Sequence, residues 1–338
     1  MKAITIKDVA KEAGISISVV SYVLNNNTSV SISEETKTRV INAAKRLNYT
    51  PSRVARSMRT NKSMVIGLAT FWNVSDSVFT ETLKGVDSIA EKNGYSVTYC
   101  NLKNDSSGLK VLELYNQRQI DGVILLANVG LDKNFSEIEF INNVKKSGVP
   151  TVIINGITER PDISYVYIDY YGTTYTAVDY LYQLGHRKLC YMLPNKNEID
   201  NMQSVQRIRG YKDALKNLNL IDYDLYLNTE SIYDIVDLLS SEDKPTAVVV
   251  NKMPYAVQLL KTCVKLGIKV PEDISIIACN DEDYAGYLTP PLVTIKVPIC
   301  EMGEKSAEIL FDAFKNKSLS IKLKLPNKVI ERESCRRL

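Results

Sequence analysis

Apolar positions in the first fifty residues recur at helical spacing, in short blocks with dense punctuation. In "TIKDVAKEAG", Ile6, Val9, Ala10 and Ala13 fall on one face. Thr5 followed by Asp8 forms a capping pattern, and Gly14 closes the block. Ser16 caps the next helix, "ISVVSYVLN", which turns Val19, Val20 and Val23 toward a core and runs out in Asn25-Asn26-Asn27. Ser33 opens a third, "EETKTRVINAAKRLNY", with Val40, Ala43, Ala44 and Leu47 inward. Two short helices joined at Gly14, with a third completing the core, describe a helix-turn-helix module. The pattern also fits a generic three-helix bundle with an exposed polar face.

From residue 64 the period changes. "SMVIGLAT" reads as an apolar strand, followed by the helix "FTETLKGVDSIAEKNG" with Leu83, Val86 and Ile89 inward. "YSVTYCN", a helix near 107–118, "DGVILLA", another helix and "PTVIIN" continue the alternation. It returns in "TAVDYLYQLGHRKLCYML", "RIRGYKDALKNL", "PTAVVV", "AVQLLKTCVKLG" and "DISIIACND". Continuous apolar strands alternating with helices mean parallel sheets covered on both faces. The fold class is therefore α + α/β, a helix-turn-helix head followed by a doubly wound body of two subdomains. Ligands in open α/β sheets bind beyond the carboxyl ends of the strands, and domain interfaces are favoured pockets.

Charge separates the same two parts. Residues 1–62 hold eleven Lys or Arg against four acids, a net +7, whereas the whole chain is +3, so the remainder carries −4. A basic head on a near-neutral body suits polyanion binding, although a solvated charged face is the plain alternative. The segment "TPSRVARSMRTNKS" (50–63) has four basic residues, no acid, and Val54, Ala55 and Met58 near helical spacing. Pro51 blocks continuation of the third helix and Ser52 can cap a new one. Alone it is too short and too repulsive to fold. Phosphates would neutralise its arginines, and Met58 would project as an apolar wedge of the kind that unstacks a minor-groove base step. A flexible linker is the alternative. In a helix-turn-helix the second helix enters the major groove. There Ile17, Ser18, Ser21 and Tyr22 remain on the free face, able to offer hydroxyls and apolar contact to bases.

Catalysis has few footholds. The six cysteines are scattered without a CxxC pair, and the single His186 leaves no HExxH zinc site or second histidine. The chain lacks Gly-x-Ser-x-Gly, GxGxxG and GxxxxGK motifs. No enzyme activity, metal or cofactor is expected. No apolar run reaches the roughly 18–20 residues that span a bilayer. The start carries no secretory signal, so a cytoplasmic, nucleoid-associated protein without membrane contact is expected.

"TIKDVAKEAGISISVVSYVLN" followed by "RVINAAKRLNYTPSRVARSM" resembles the lactose/purine-repressor (LacI/GalR) family of bacterial transcription regulators. Helix-turn-helix, the Tyr49-x-Pro51 corner and the Val-Ala-Arg hinge occur in order. The resemblance implies a homodimer on a palindromic operator, its paired hinge helices in the minor groove. Met58 would then be the intercalating residue and Ala55 the small residue that lets the helices approach. The residues assigned to double-stranded operator DNA are Thr5, Ser16, Ile17, Ser18, Ser21 and Tyr22, then Asn25, Ser31, Thr36 and Tyr49. Ser52, Arg53, Ala55, Arg56 and Met58 of the hinge join them. The family commonly has Thr and a basic or polar base-reader where this chain has Val19 and Tyr22, which leaves the operator sequence open but not DNA binding.

The resemblance runs through the body to "NKVIERES" and implies a periplasmic-binding-protein type-1 fold crossed three times by the chain, near 163–166, 294–298 and 323–327. The expected division is a headpiece at 1–50 and a hinge at 51–62. An N-subdomain at 63–165 plus 295–322 and a C-subdomain at 166–294 plus 323–338 complete it. No heptad tail follows, which favours a dimer over a tetramer. A solute-binding receptor built on the same body is the alternative, opposed by the basic head.

The family's effector, a sugar or sugar derivative among others, sits between the subdomains. Arg207 in "RIRGY" matches the arginine that holds ligand oxygens, Asp169 in "YIDYYG" an acid at the cleft, and Phe79 a pocket aromatic. Trp72 could stack on a sugar face, and Lys252, Asn280 and Asp281 complete the set. Each has a plain reading: Phe79 and Trp72 as core, Asp169 as a helix cap, Arg207 as a structural ion pair. Lys252-Met253 stand where the family has Asn-Asp, Asn280-Asp281 where it has Asp-Asn or Asp-Asp, and Val297 where it has Gln. Each buried hydroxyl left unpaired costs about 1–3 kcal/mol, so these losses argue against a small sugar. A less polar ligand, an anion near Arg207 and Lys252, a protein corepressor or no effector remains. His186 in "LGHRKL" is expected to make structural hydrogen bonds.

Overall fold

The computed structural model describes residues 4–24, 30–49, 62–71, 74–103, 105, 107–127, 136–156, 160–193, 202–221, 226–228, 237–238, 240–241, 244–316 and 320–338. They form two compact units, Met1–Met64 and Val65–Leu338.

The first unit contains helices α1 (Ile6–Ala13), α2 (Ile17–Leu24) and α3 (Glu34–Arg46). Each starts as its capping residue dictates. The Asp8 carboxylate accepts from the Thr5 N–H at 2.8 Å and from its hydroxyl at 2.7 Å. Ser16 Oγ accepts from the Val19 N–H at 3.4 Å, and Ser33 Oγ from the Thr36 N–H at 3.3 Å. Gly14 ends α1 at φ 64°, and Arg39 on α3 donates to the Ala13 carbonyl at 2.8 Å, tying the turn to the third helix. Val9, Ala10, Ala13, Val20, Val23, Val40, Ala43 and Ala44 form the core; Ile6, Val19 and Leu47 pack partly exposed at its edge. Helix α3 stops three residues before Tyr49, the last residue of the block read as helical. Asn48 turns left-handed at φ 51°, and the Tyr49 N–H bonds back to the Ala44 carbonyl.

The second unit holds two six-stranded sheets. One contains β1 (Val65–Thr70), β2 (Ser96–Asn101), β3 (Gly122–Leu126), β4 (Thr151–Ile154), β5 (Ser164–Ile168) and β11 (Lys322–Leu325), in the order β11-β5-β4-β3-β1-β2. The other contains β6 (Leu189–Leu193), β7 (Tyr226–Asn228), β8 (Ala247–Val250), β9 (Ser275–Cys279), β10 (Val293–Lys296) and β12 (Lys328–Ile330), in the order β12-β10-β9-β8-β6-β7. Every pairing is parallel except β10 with β12. Helices α4 (Ser77–Lys92) and α10 (Ile299–Lys315) cover one face of the first sheet. Helices α5 (Leu109–Asn116) and α6 (Glu137–Ser147) cover the other. The second sheet lies between α7 (Tyr170–Gln183) with α8 (Met202–Asn217) and α9 (Met253–Leu266).

The first crossing falls later than the sequence suggests, and the second and third fall within the expected stretches at 294–298 and 323–327. Residues 166–168 pair with Leu323–Leu325, and all of them belong to the first sheet, so the chain leaves it after Ile168. Residues 295–296 pair with Val329 and Lys328 and stay in the second sheet. The third crossing lies between Leu325 and Lys328. Residues 166–168 and 323–325 therefore move to the N-subdomain and 295–296 to the C-subdomain, because each strand keeps its sheet through its last bonded residue.

Candidate nucleic-acid interface and ligand cleft

In the headpiece, burial of Val20 and Val23 fixes which side of α2 remains free. Ile17 is 44% exposed at its start, an apolar side chain that the core does not use. Ser18 is exposed, while Ser21 and Tyr22 are half-buried. Thr5, Ser16 and Ser31 are exposed; Thr36 and Tyr49 are half-buried. Thr5 and Ser16 also hold the starts of α1 and α2 as caps. Asn25, Ser52, Arg53, Ala55, Arg56 and Met58 lie outside the described residues, as does the rest of the hinge at 51–61.

In the body, the first crossing is walled by a cavity of about 450 Å³. Asn155, Gly156, Tyr167, Ile168 and Asp169 line it from the carboxyl ends of β4 and β5. Tyr170 and Tyr171 of α7, Met202, Gln203, Gln206 and Arg209 of α8, and Lys324 of β11 complete the wall. Asp169 Oδ1 accepts from the Gly172 N–H at 2.9 Å, capping α7. Its Oδ2 is 2.8 Å from Lys324 Nζ, and Asn327 Nδ2 donates to its carbonyl at 2.6 Å. Asp169 thus caps a helix and also lines the cavity. Asn155 Nδ2 donates to the Tyr170 hydroxyl at 3.0 Å. Burial pushes that hydroxyl up to about 12, with Arg207 opposing the shift.

Arg207 itself is 1% exposed and is not among the residues lining this cavity. Its Nη2 donates to Asn280 Oδ1 at 2.7 Å, Nη1 to the Asn251 carbonyl at 3.1 Å, and Nε to Thr173 Oγ1 at 3.3 Å. Its guanidinium lies 5.1 Å from the centre of the Tyr170 ring. The ion pair that sequence allowed is replaced, among the described residues, by amides, a hydroxyl and a ring. Close approach of α8 to α7 makes this possible. A Cβ on Gly210 would lie 2.1 Å from the Tyr171 carbonyl oxygen, so glycine alone fits one turn from Arg207.

The other expected effector residues are dispersed. Phe79 is 3% exposed, packs in the first core and meets Tyr99 edge-on, its plain reading. Asp281 pairs with Arg332 at 2.8 Å and accepts from Thr294 at 2.6 Å. Lys252 precedes α9 in extended backbone, and Trp72 lies outside the described residues. Asp281 also borders a second cavity of about 590 Å³, where Ser77 of α4 donates to Glu282 at 3.2 Å. Burial, reinforced by Asp76, Asp283 and Asp281, raises the Glu282 carboxyl. His186 is buried, with Nδ1 2.9 Å from Thr246 Oγ1 and Nε2 3.1 Å from the Arg336 carbonyl.

Sequence reasoning missed Asn251, Tyr170, Arg209 and Lys324. Asn251 had a local signal, a lone amide ending the apolar run "AVVV". Tyr170 was hidden among seven tyrosines between 165 and 182. Lys324 becomes visible only when β11 is placed beside β5.

Residues 5–52 match the family model for bacterial regulatory proteins, lacI family, and residues 178–335 match the periplasmic binding protein-like domain. The HTH-type transcriptional repressor PurR of Mannheimia succiniciproducens is 31% identical over 320 residues, covering 93% of this chain and 92% of its own. The NTD biosynthesis operon regulator NtdR of Bacillus subtilis is 30% identical over 346 residues, covering 98% and 99%. A crystal structure of the lac repressor dimer bound to operator and the anti-inducer ONPF shares the fold, with TM-score 0.77 and 21% identity over 99% of this chain and all of that one. No helix among the described residues is long and apolar enough to cross a membrane. With a capped helix-turn-helix head, two interleaved α/β lobes and full-length relatives at this identity, the chain belongs to the lacI family of bacterial regulatory proteins, transcription regulators with a DNA-binding head and an effector-binding body.

Proposed function

We propose that this chain acts as a homodimeric repressor on a palindromic operator, with its grip set by a small molecule in the cleft at the first crossing. The observation that carries the reading is the free face of α2. Val20 and Val23 are buried, leaving exposed Ile17 and Ser18 at the end of the helix that enters the major groove in such modules. The +7 charge of residues 1–62 supplies the phosphate attraction. Residues 51–62 take the role of hinge, and the two lobes take the N- and C-subdomain roles with the boundaries drawn above. Asn155, Asp169 and Tyr170 line a cavity at the carboxyl ends of the strands, where open α/β sheets bind ligands, and this supports an effector there. The protein needs no catalytic group for this and acts in the cytoplasm.

Fluorescence anisotropy on labelled fragments from upstream of its own gene tests the reading. The expected result is saturable binding to a palindromic fragment with stoichiometry of two chains per site. Affinity falls linearly on a log–log plot against salt, by a slope of about 0.9 per phosphate contacted. Binding indifferent to salt, or no preference for any upstream fragment over random DNA, would overturn it.

A further inference from the structure

The cleft carries a charge pattern that narrows its ligand. Two cations, Arg209 and Lys324, line the cavity against one acid, Asp169. Lys324 is matched by Asp169 at 2.8 Å, and Arg209 by Asp213 at 3.5 Å. Arg207, behind the Tyr170 ring, has no carboxylate partner among the described residues, which leaves one positive charge unmatched beside the cavity. Its donors are taken up by oxygens of Thr173, Asn251 and Asn280. Asn251 is fully buried, its Oδ1 accepts from Tyr191 at 2.8 Å, and its Nδ2 has no partner among the described residues. Among the described residues the lining carries two cations against one acid, which suits a ligand that brings acceptor oxygens and negative charge. Tyr170, whose ring meets Arg207, lines the cavity together with its neighbour Tyr171, which stacks on Tyr175.

Resting on the cleft-effector reading above, we propose that the ligand is an aromatic monoanion, its acidic group held by Lys324 and Arg209 and its ring set against Tyr170 and Tyr171. The volume of about 450 Å³ is within the range of small-molecule sites and leaves room for one or two fused rings. The anion competes with Asp169 for Lys324. Asp169 caps α7 at the first crossing and is bonded by Asn327 at the third, so the exchange of partners happens at the joint between the lobes. A ligand that prefers one arrangement of this joint shifts the population of lobe angles.

The probes are 2-naphthoate, its neutral isostere 2-naphthamide and the cation 2-naphthylmethylamine. Each is titrated calorimetrically into the full chain and into Lys324→Met, whose side chain is largely exposed in the parent and tolerates exchange. Circular dichroism confirms that the variant folds. The carboxylate should bind at least tenfold tighter than the amide, the amine not at all, and Lys324→Met should bring the carboxylate down to the amide. Equal binding of acid and amide, tighter binding of the amine, no binding of the carboxylate, or undiminished binding to Lys324→Met each overturns the proposal. Operator binding is measured on the same preparations. Salt-dependent DNA binding without anion preference sinks this proposal alone, whereas loss of DNA binding sinks the regulator reading.

Discussion

Arg207→Met removes a charge and its donors while keeping most of the side chain's length. The Asn251 carbonyl, fully buried, loses its donor at 3.1 Å, and a buried acceptor left unsatisfied costs about 1–3 kcal/mol. Asn280 Oδ1 loses a charged donor at 2.7 Å, but Asn280 is only half-buried and water can replace part of it, about 1 kcal/mol. Thr173 loses little, because its hydroxyl still donates to the Tyr170 carbonyl at 2.6 Å. The contact with the Tyr170 ring adds about 1 kcal/mol. Against this, a guanidinium without a counter-ion pays for leaving water, a cost of several kcal/mol for an ion met only partly by its surroundings. Here three oxygens and a ring surround a weakly hydrated cation, so most of that cost is already met. The expected net loss is about 2–4 kcal/mol, read as a lower urea midpoint by circular dichroism and tyrosine fluorescence, whose transitions must coincide. A variant as stable as the parent, or more stable, would refute the reasoning. The internal bonds would then not offset desolvation, and Arg207 would be held strained for an anion.

Gly210→Ala should destabilise the body by about 2–3 kcal/mol or more, since overpacking forces α7 and α8 apart; thermal melts check this, and a change below about 0.5 kcal/mol would mean that the helices yield freely. Asp8→Ala should cost the headpiece about 1 kcal/mol by breaking the bonds to Thr5, visible as earlier melting of its helical signal with the body unchanged. His186 is held below its ordinary pKa of 6.5 by burial; its hydrogen bond with the Arg336 carbonyl opposes the shift, and the charges of Arg336 and Arg187 add to it. The unfolded chain then takes up a proton before the native one, so stability falls as pH drops below the ordinary value. His186→Asn should lose that slope, and an unchanged slope would assign it to other groups.

The headpiece was legible almost residue by residue, because caps and short-period burial are local. Thr5, Ser16 and Ser33 start their helices where their side chains predict, and only Asn48 shortens α3. The body's rhythm was equally plain in its long apolar strands. What escaped the sequence depends on distant partners. The stretch of β5 reads as a crossing near 163–166, whereas β11, more than 150 positions away, pairs with it and keeps it in the first sheet. Helix α10 was unassigned for a similar reason, since its apolar face meets α4 and the first sheet from the far end of the chain. Asp169 and Arg207 lie at or beside the cleft, but three-dimensional pairing with Lys324, Asn251 and Asn280 decides what each can still offer.

Because α10 and β11 complete the first lobe from residues 299–325, that lobe stays unfinished on the ribosome until the second has almost wholly emerged. A gene fragment ending at Ile168 would expose the open edge of β5 and the bare apolar side of α4, and should aggregate where the uninterrupted polypeptide matures.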